Sequence, residues 1–183
     1  ANQGGEDNRN VARMGLLLAG VPETVPGVTV NRLCGSGLDA VNQATAAIKA
    51  GLGDVFIAGG TESMTRAPYV MMKPHLSGSR GNQTLHDTTL GWRLVNPKME
   101  EMYPPISLGE TAENVAERYN VTREEQDQLA LISQQKAAIA IESGRFNEEI
   151  VPIEIPQKKG ESITFANDEH VRPGTTIEAL SNL

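Results

Sequence analysis

The stretch that most constrains this chain is a β-branched run that changes abruptly into a helix of small residues. Residues 28–33, VTVNRL, alternate in character and predict a strand. Residues 38–50 carry apolar side chains at spacings of three and four, and the remaining residues are mostly small, which predicts a buried helix. Residues 54–60, DVFIAGG, are typical of a strand buried on both faces. This order of strand, helix and strand indicates an α/β fold with a parallel or mixed sheet.

Composition narrows the setting of the chain and the class of its partners. Its 183 residues are enough for one large domain or two small ones. A single cysteine cannot form an internal disulfide, and no signal peptide or long apolar span is visible, so we expect a reducing, cytoplasmic setting. The formal net charge of -7 argues against nucleic acid or an anionic membrane as the main partner.

Periodicity and end signals predict further elements along the chain. The predicted helices are 10–20, 109–119 and 123–143. The last of these begins with a capping box from Thr122 to Glu125 and ends at Gly144. Residues 66–107 show little periodicity, which predicts a long excursion. Strands are predicted within 148–156 and 162–170, joined by the turn signal QKKGE.

Cys34, the lone thiol, lies where the predicted strand ends and the predicted buried helix begins. Free N–H groups at a helix N-terminus carry partial positive charge, so they stabilise a thiolate and can hold a developing oxyanion. Gly35 and Gly37 lack a Cβ, which predicts a sharp turn with room for a substrate beside the sulfur. The pattern is typical of a nucleophile elbow. The alternative is a buried cysteine that acts only as a small apolar residue, and the pattern alone leaves both open.

Several segments resemble signatures of the thiolase family, the acyl-CoA C-acyltransferases, in their order and spacing. NRLCGSGLDAV resembles the motif of the nucleophilic cysteine, and AGGTESMTRAPY resembles the second signature. GETAENVAERYNVTREEQD and DEHVRPGTT resemble the lid region. DTTLGWRLVNPKM is similar to degradative members, which include β-ketoadipyl-CoA thiolases. The resemblance therefore extends over essentially the whole chain.

The resemblance implies thiolytic cleavage of a 3-ketoacyl-CoA by coenzyme A, or the reverse Claisen condensation. Cys34 matches the nucleophile that carries the acyl group as a thioester. No cofactor or metal is implied, since CoA is a substrate. Arg172 matches the arginine at the adenine end of CoA. Ser107 and Leu108 match a His-Met pair at the mouth of the pantetheine channel, and Ala179 matches a serine near the nucleotide.

The implied fold is thiolase-like and layered, with two similar α/β halves and a loop domain inserted in the first. Residues 1–66 would belong to the first half, with its mixed sheet and buried helix. Residues 67–175 would form the inserted α+β loop domain, and residues 176–183 would return to the first half. The family's activating histidine and second cysteine lie in the second half, and none of this chain's histidines matches. We therefore expect an incomplete first half without turnover of its own.

The resemblance also implies self-association, and it leaves two other functions open. Thiolases form homodimers through the strand that leads to the nucleophile, here 28–33, and a homotetramer would use 80–107. One alternative is a β-ketoacyl synthase-like enzyme of the same superfamily, in which two histidines lie beyond this segment. The other is a non-catalytic acyl- or lipid-binding thiolase-like protein, in which Cys34 would be unreactive.

Overall fold

A computed structural model describes residues 9–74, 78 and 80–183, which fall into two compact units. The first unit is Ala1–Ser107 and the second is Leu108–Leu183. The boundaries predicted for an inserted loop domain, 67–175, stay a prediction. Each unit is built from helices joined by long connections and one small antiparallel ladder.

The first helix, α1 (Val11–Leu18), fixes the chain that leads toward the cysteine. Asn10 caps the helix by accepting from the Arg13 N–H at 3.1 Å, and its amide donates to the Gly27 carbonyl at 2.9 Å. The Asn10 side-chain oxygen also accepts from the Thr29 hydroxyl at 3.1 Å. A Cβ on Gly27 would lie 2.8 Å from the Arg13 nitrogen, so the close approach requires glycine.

The predicted strands at 28–33 and 54–60 are wrong for the described residues, where both segments are extended or irregular. Strands exist only where a neighbouring strand accepts and donates the ladder hydrogen bonds, and the described part of the chain offers these segments no partner. The parallel or mixed sheet is therefore absent from the described residues. Both ladders found there are antiparallel.

The helix after the cysteine, α2 (Ser36–Lys49), confirms the predicted helix and starts two residues earlier than its apolar pattern. Its predicted burial is wrong within the described residues, because Leu38 is 70% exposed and Val41 is 48% exposed. The sequence pattern indicates only that this helix is suited to burial on all sides. Burial itself also requires a covering layer, which these residues do not supply.

The excursion after α2 contains short elements that its sequence does not predict. Strands β1 (Tyr69–Val70) and β2 (His86–Asp87) pair antiparallel. Next to this ladder Thr88 is fully buried, and its hydroxyl donates to the Pro68 carbonyl at 2.6 Å. Two hydrogen bonds from Thr89 lower the pKa of the Asp87 carboxyl. Helix α3 (Pro97–Met102) follows.

The second unit follows its sequence signals closely. Helices α4 (Leu108–Tyr119) and α5 (Arg123–Glu142) confirm the predicted helices. The capping box is formed, since the Thr122 side chain accepts from the Glu125 N–H and the Glu125 carboxylate accepts from the Thr122 N–H. Gly144 has a φ of 71°, as a helix C-terminal glycine does.

The rest of the second unit is a hairpin and a short final helix. Strands β3 (Ile153–Ile155) and β4 (Ile163–Phe165) pair antiparallel around the predicted turn, with Glu154 opposite Thr164. Helix α6 (Ile177–Ser181) packs against α5. Among the helices of the described residues, none is long and apolar enough to cross a membrane.

Replacing Thr122 by alanine should lower the stability of α5, because it removes the acceptor for the Glu125 N–H. We expect a loss of about 0.5–1 kcal/mol in a synthetic peptide of residues 120–145, measured as helix content by far-UV circular dichroism. The matched control is Thr122→Ser, which keeps the acceptor and should keep the helix content. Equal helix content for Thr122→Ala and the parent peptide would contradict a stabilising role of the cap.

Candidate functional site

Cys34 is exposed and lies at an abrupt turn directly before α2. The turn is confirmed at the predicted place, but its sharpest residue is Leu33, which has a φ of 49°. A leucine in this left-handed region is uncommon, and such strain costs about 1–3 kcal/mol. The surrounding contacts therefore have to hold the conformation.

A set of short hydrogen bonds closes the turn on the N-terminal side of the sulfur. The Gly35 N–H donates to the Arg32 carbonyl and the Ser36 N–H donates to the Leu33 carbonyl, both at 3.0 Å. The Ser36 hydroxyl donates to the same Leu33 carbonyl at 2.6 Å and accepts from the Arg32 N–H at 2.9 Å. The Leu33 N–H donates to the Asn31 side-chain oxygen at 2.9 Å. Local polar contacts thus satisfy the turn's backbone.

The start of α2 leaves donors free beside the thiol. No hydrogen bond within the described part of the chain uses the N–H groups of Cys34, Gly37 or Leu38. These groups carry the positive end of the helix dipole and are suited to a negative charge on sulfur or oxygen. Asp39 opposes that effect from the first turn, and its carboxylate is paired with the Arg32 guanidinium at 3.4 Å.

The glycines of the cysteine motif do not make the turn, contrary to the prediction. Gly35 has a φ of -83°, and neither it nor Gly37 lies in the left-handed region. An added Cβ on Gly37 would meet nothing within 4 Å, so the space beside this residue is open. Sequence reasoning missed Leu33 because positive φ is ordinarily signalled by Gly, Asn or Asp.

Arg172 belongs to the second unit, where its backbone is anchored and its guanidinium is unpaired. Its N–H donates to the Gln134 side-chain oxygen of α5 at 2.7 Å. Its carbonyl accepts from the N–H and the hydroxyl of Thr175, at 3.1 and 2.7 Å. The exposed guanidinium makes no hydrogen bond or ion pair with any other described residue. A fixed backbone with a free planar cation is suited to an aromatic or phosphate ligand.

Ala179 lies near Arg172 in sequence and on the helix that packs against α5. Its N–H donates to the Thr176 hydroxyl at 3.2 Å, which caps α6. Arg123 holds this helix by donating to the Leu180 carbonyl at 2.6 Å. The residue preceding Ala179 is Glu178, and hydrogen bonds from its own backbone N–H and from the Thr176 side chain lower the pKa of its carboxyl.

The last two predicted site residues, Ser107 and Leu108, lie where the first unit ends and the second begins. Ser107 is the last residue of the first unit, and Leu108 begins α4 with 80% of its surface exposed. His86 lies in β2, His170 precedes Arg172, and His75 is outside the described residues. Throughout the described ranges, no three His, Cys, Asp or Glu residues come close enough to hold a metal ion. The roles of Cys34, Arg172, Ser107, Leu108 and Ala179 stay predictions.

The chain is similar to known thiolases in both sequence and fold. The beta-ketoadipyl-CoA thiolase of Pseudomonas putida is 59% identical over all 183 residues, which make up 45% of that protein. The crystal structure of the Bacillus anthracis acetyl-CoA acetyltransferase matches with a TM-score of 0.83 and 40% identity, covering 98% of this chain and 44% of that one. Human mitochondrial 3-ketoacyl-CoA thiolase in complex with CoA matches with a TM-score of 0.82 and 35% identity, covering 99% and 43%.

These matches confirm the predicted thiolase-like α/β fold. The chain spans slightly less than half the length of the relatives that it matches. The family profile described as the thiolase N-terminal domain matches residues 1–183. Since that match includes the cysteine motif, helices α4 and α5 and the Arg172 segment together, the chain belongs to the thiolase family.

Proposed function

We propose that this chain carries the nucleophile of a thiolase that cleaves 3-ketoacyl-CoA with coenzyme A, or runs the reverse condensation. The supporting observation is the position of Cys34, an exposed thiol two residues before α2, beside the free N–H groups of Gly37 and Leu38. The activating histidine and the acid-base cysteine of the family would come from outside these residues.

The proposed reaction balances in two steps. The Cys34 thiolate attacks the 3-keto carbon, the bond between C2 and C3 breaks, and its electron pair leaves on the acetyl-CoA fragment, which takes up a proton. The shortened acyl group then remains on the Cys34 sulfur as a thioester. The thiolate of a second CoA attacks that thioester, releases the acyl-CoA and regenerates Cys34. The free N–H of Cys34 is suited to the oxyanion that forms in each addition.

Coenzyme A would meet this chain at several of the predicted residues. Arg172 would stack on the adenine or pair with phosphate, which its unpaired guanidinium supports. Leu108 and Ser107 would stand at the mouth of the pantetheine channel, and Ala179 near the nucleotide. No further cofactor is needed, because the cysteine itself carries the acyl group.

For the substrate class, a dicarboxylic 3-ketoacyl-CoA such as β-ketoadipyl-CoA is favoured. The Pseudomonas putida beta-ketoadipyl-CoA thiolase is 59% identical, against 40% for the Bacillus anthracis acetyl-CoA acetyltransferase. Membership of the thiolase family also disfavours a β-ketoacyl synthase. A non-catalytic acyl-binding protein would have an unreactive Cys34, and that distinction is open to experiment. The single cysteine supports a reducing, cytoplasmic setting.

Cys34 should become acylated when the full-length protein meets a 3-ketoacyl-CoA in the absence of free CoA. Intact-mass and peptide mass spectrometry should place one acyl group on the Cys34 peptide, and Cys34→Ser should abolish both the adduct and thiolysis. Thr45→Ala is the control, since it changes an exposed hydroxyl further along the same helix. Thiolysis that survives in Cys34→Ser would exclude this residue as the nucleophile.

Arg172→Ala should raise the KM for CoA several-fold with kcat nearly unchanged, because the adenine end lies far from the reacting carbon. Arg172→Lys should recover only part of the affinity, since an ammonium cannot stack as a flat guanidinium does. The matched control is Arg145→Ala, an exposed arginine of the same unit whose charge is already paired with Glu149 at 2.7 Å. A fall in kcat at constant KM would give Arg172 a different role.

The full-length protein should be at least a dimer, and a tetramer would use the segment 80–107. Segment 28–33 leads directly to the cysteine and exposes Val28 and Leu33 at 72% and 81%. An uncovered apolar segment of this kind favours pairing with a second copy. Light scattering at micromolar concentration measures the mass. A monomer under those conditions would contradict the proposed assembly.

A further inference from the structure

The turn before Cys34 contains a strained residue and a side chain placed to hold it. Leu33 has its φ at 49° in the first central position of a reverse turn that the Gly35-to-Arg32 hydrogen bond closes. Turns of this kind ordinarily carry glycine there, because a Cβ is disfavoured. Leucine does not supply that freedom. The conformation that presents the sulfur therefore depends on contacts outside Leu33 itself.

The Ser36 hydroxyl makes two of these contacts at once. A hydroxyl has one donor and two acceptor sites, so it can donate to the Leu33 carbonyl at 2.6 Å while accepting from the Arg32 N–H at 2.9 Å. Both bonds reach back across Cys34 to the strained side of the turn. Ser36 is also half-buried at the first position of α2, so its side chain is tied to a regular helix.

From this geometry we infer that Ser36 is a positioning residue, whose hydroxyl keeps Leu33 in the left-handed conformation and so holds the Cys34 sulfur at the start of α2. The inference rests on the proposed thiolase function only for its effect on turnover. Asn31 assists by accepting from the Leu33 N–H at 2.9 Å, and no described residue accepts from the Cys34 N–H. Ser36 itself does not touch the reacting atoms in this role.

Loss of the hydroxyl should release the turn and lower the reactivity of the thiol. In Ser36→Ala the left-handed conformation of Leu33 loses its bridge, and Leu33 relaxes toward negative φ, so the sulfur leaves the helix N-terminus. We expect the rate of Cys34 alkylation by iodoacetamide at pH 7 to fall several-fold in the full-length protein. If the protein is a thiolase, kcat should fall on the order of tenfold to a hundredfold while the KM for CoA changes little.

Two rescues distinguish positioning from a general loss of structure. Ser36→Thr keeps the hydroxyl and should restore most of the alkylation rate. Leu33→Gly removes the steric preference against positive φ, so adding Leu33→Gly to Ser36→Ala should recover much of what Ser36→Ala alone loses. The matched control is Ser143→Ala, which deletes a hydroxyl with the same bond to a carbonyl three residues earlier, here Ala140 at 3.0 Å.

The alkylation rate can be measured without turnover, so it tests the positioning role of Ser36 separately from the proposed thiolase function. Slower alkylation in Ser36→Ala with recovery in the double variant supports positioning, even if the wild-type protein has no thiolase activity. Unchanged alkylation and unchanged kcat in Ser36→Ala overturn it, even if the wild type is an active thiolase. Failure of Leu33→Gly to recover the rate also overturns it. If Ser36→Ala does not fold, the double variant Leu33→Gly with Ser36→Ala decides: a folded protein with a near wild-type alkylation rate supports positioning, and a protein that still does not fold overturns it.

Discussion

Local backbone hydrogen bonding is the constraint on which the described structure depends. Helices satisfy their own N–H and C=O groups, whereas a strand requires a neighbour. Several helices begin with a side-chain cap that satisfies a free N–H group, as at Asn10, Thr122 and Thr176, whereas α2 begins without one. Where a predicted strand has no partner among the described residues, as at 28–33, the segment stays irregular. Cys34 lies at the boundary between these two kinds of segment, with the irregular residues 28–33 before it and α2 after it.

The sequence predicts the helices and the hairpin well because their signals are local. Thr122 and Glu125 cap α5 through atoms three residues apart, and Gly144 ends it by its own conformational freedom. The turn around Gly160 likewise needs only neighbouring residues to bring β3 and β4 together. Burial of α2 and pairing of 54–60 depend on other segments. An apolar pattern indicates that a segment can be buried, but it does not indicate whether other helices or strands are present to cover it.

The sequence predicts where the turn at Cys34 lies, and it does not predict which residue bends the backbone there. The motif around Cys34 indicates an elbow at a helix start, and α2 begins at Ser36. The glycines suggested where the backbone bends, yet the left-handed residue is Leu33. Residue type could not reveal this, because the Ser36 and Asn31 contacts that stabilise it are properties of the folded turn. For Arg172, the motif indicated a ligand contact, and only the structure shows the Gln134 bond that fixes its backbone.

The unpaired guanidinium of Arg172 has a consequence for how an anionic ligand reaches the chain. These 183 residues carry a formal net charge of -7, so at long range their electric field would repel a ligand with several phosphate charges, such as the CoA that we propose. In the proposed role, Arg172 would supply a short-range attraction inside a repulsive field. Dissolved salt screens the distant charges more strongly than a contact pair. Moderate ionic strength should thus speed the encounter while weakening the final contact less, the reverse of the behaviour of a basic, steering surface.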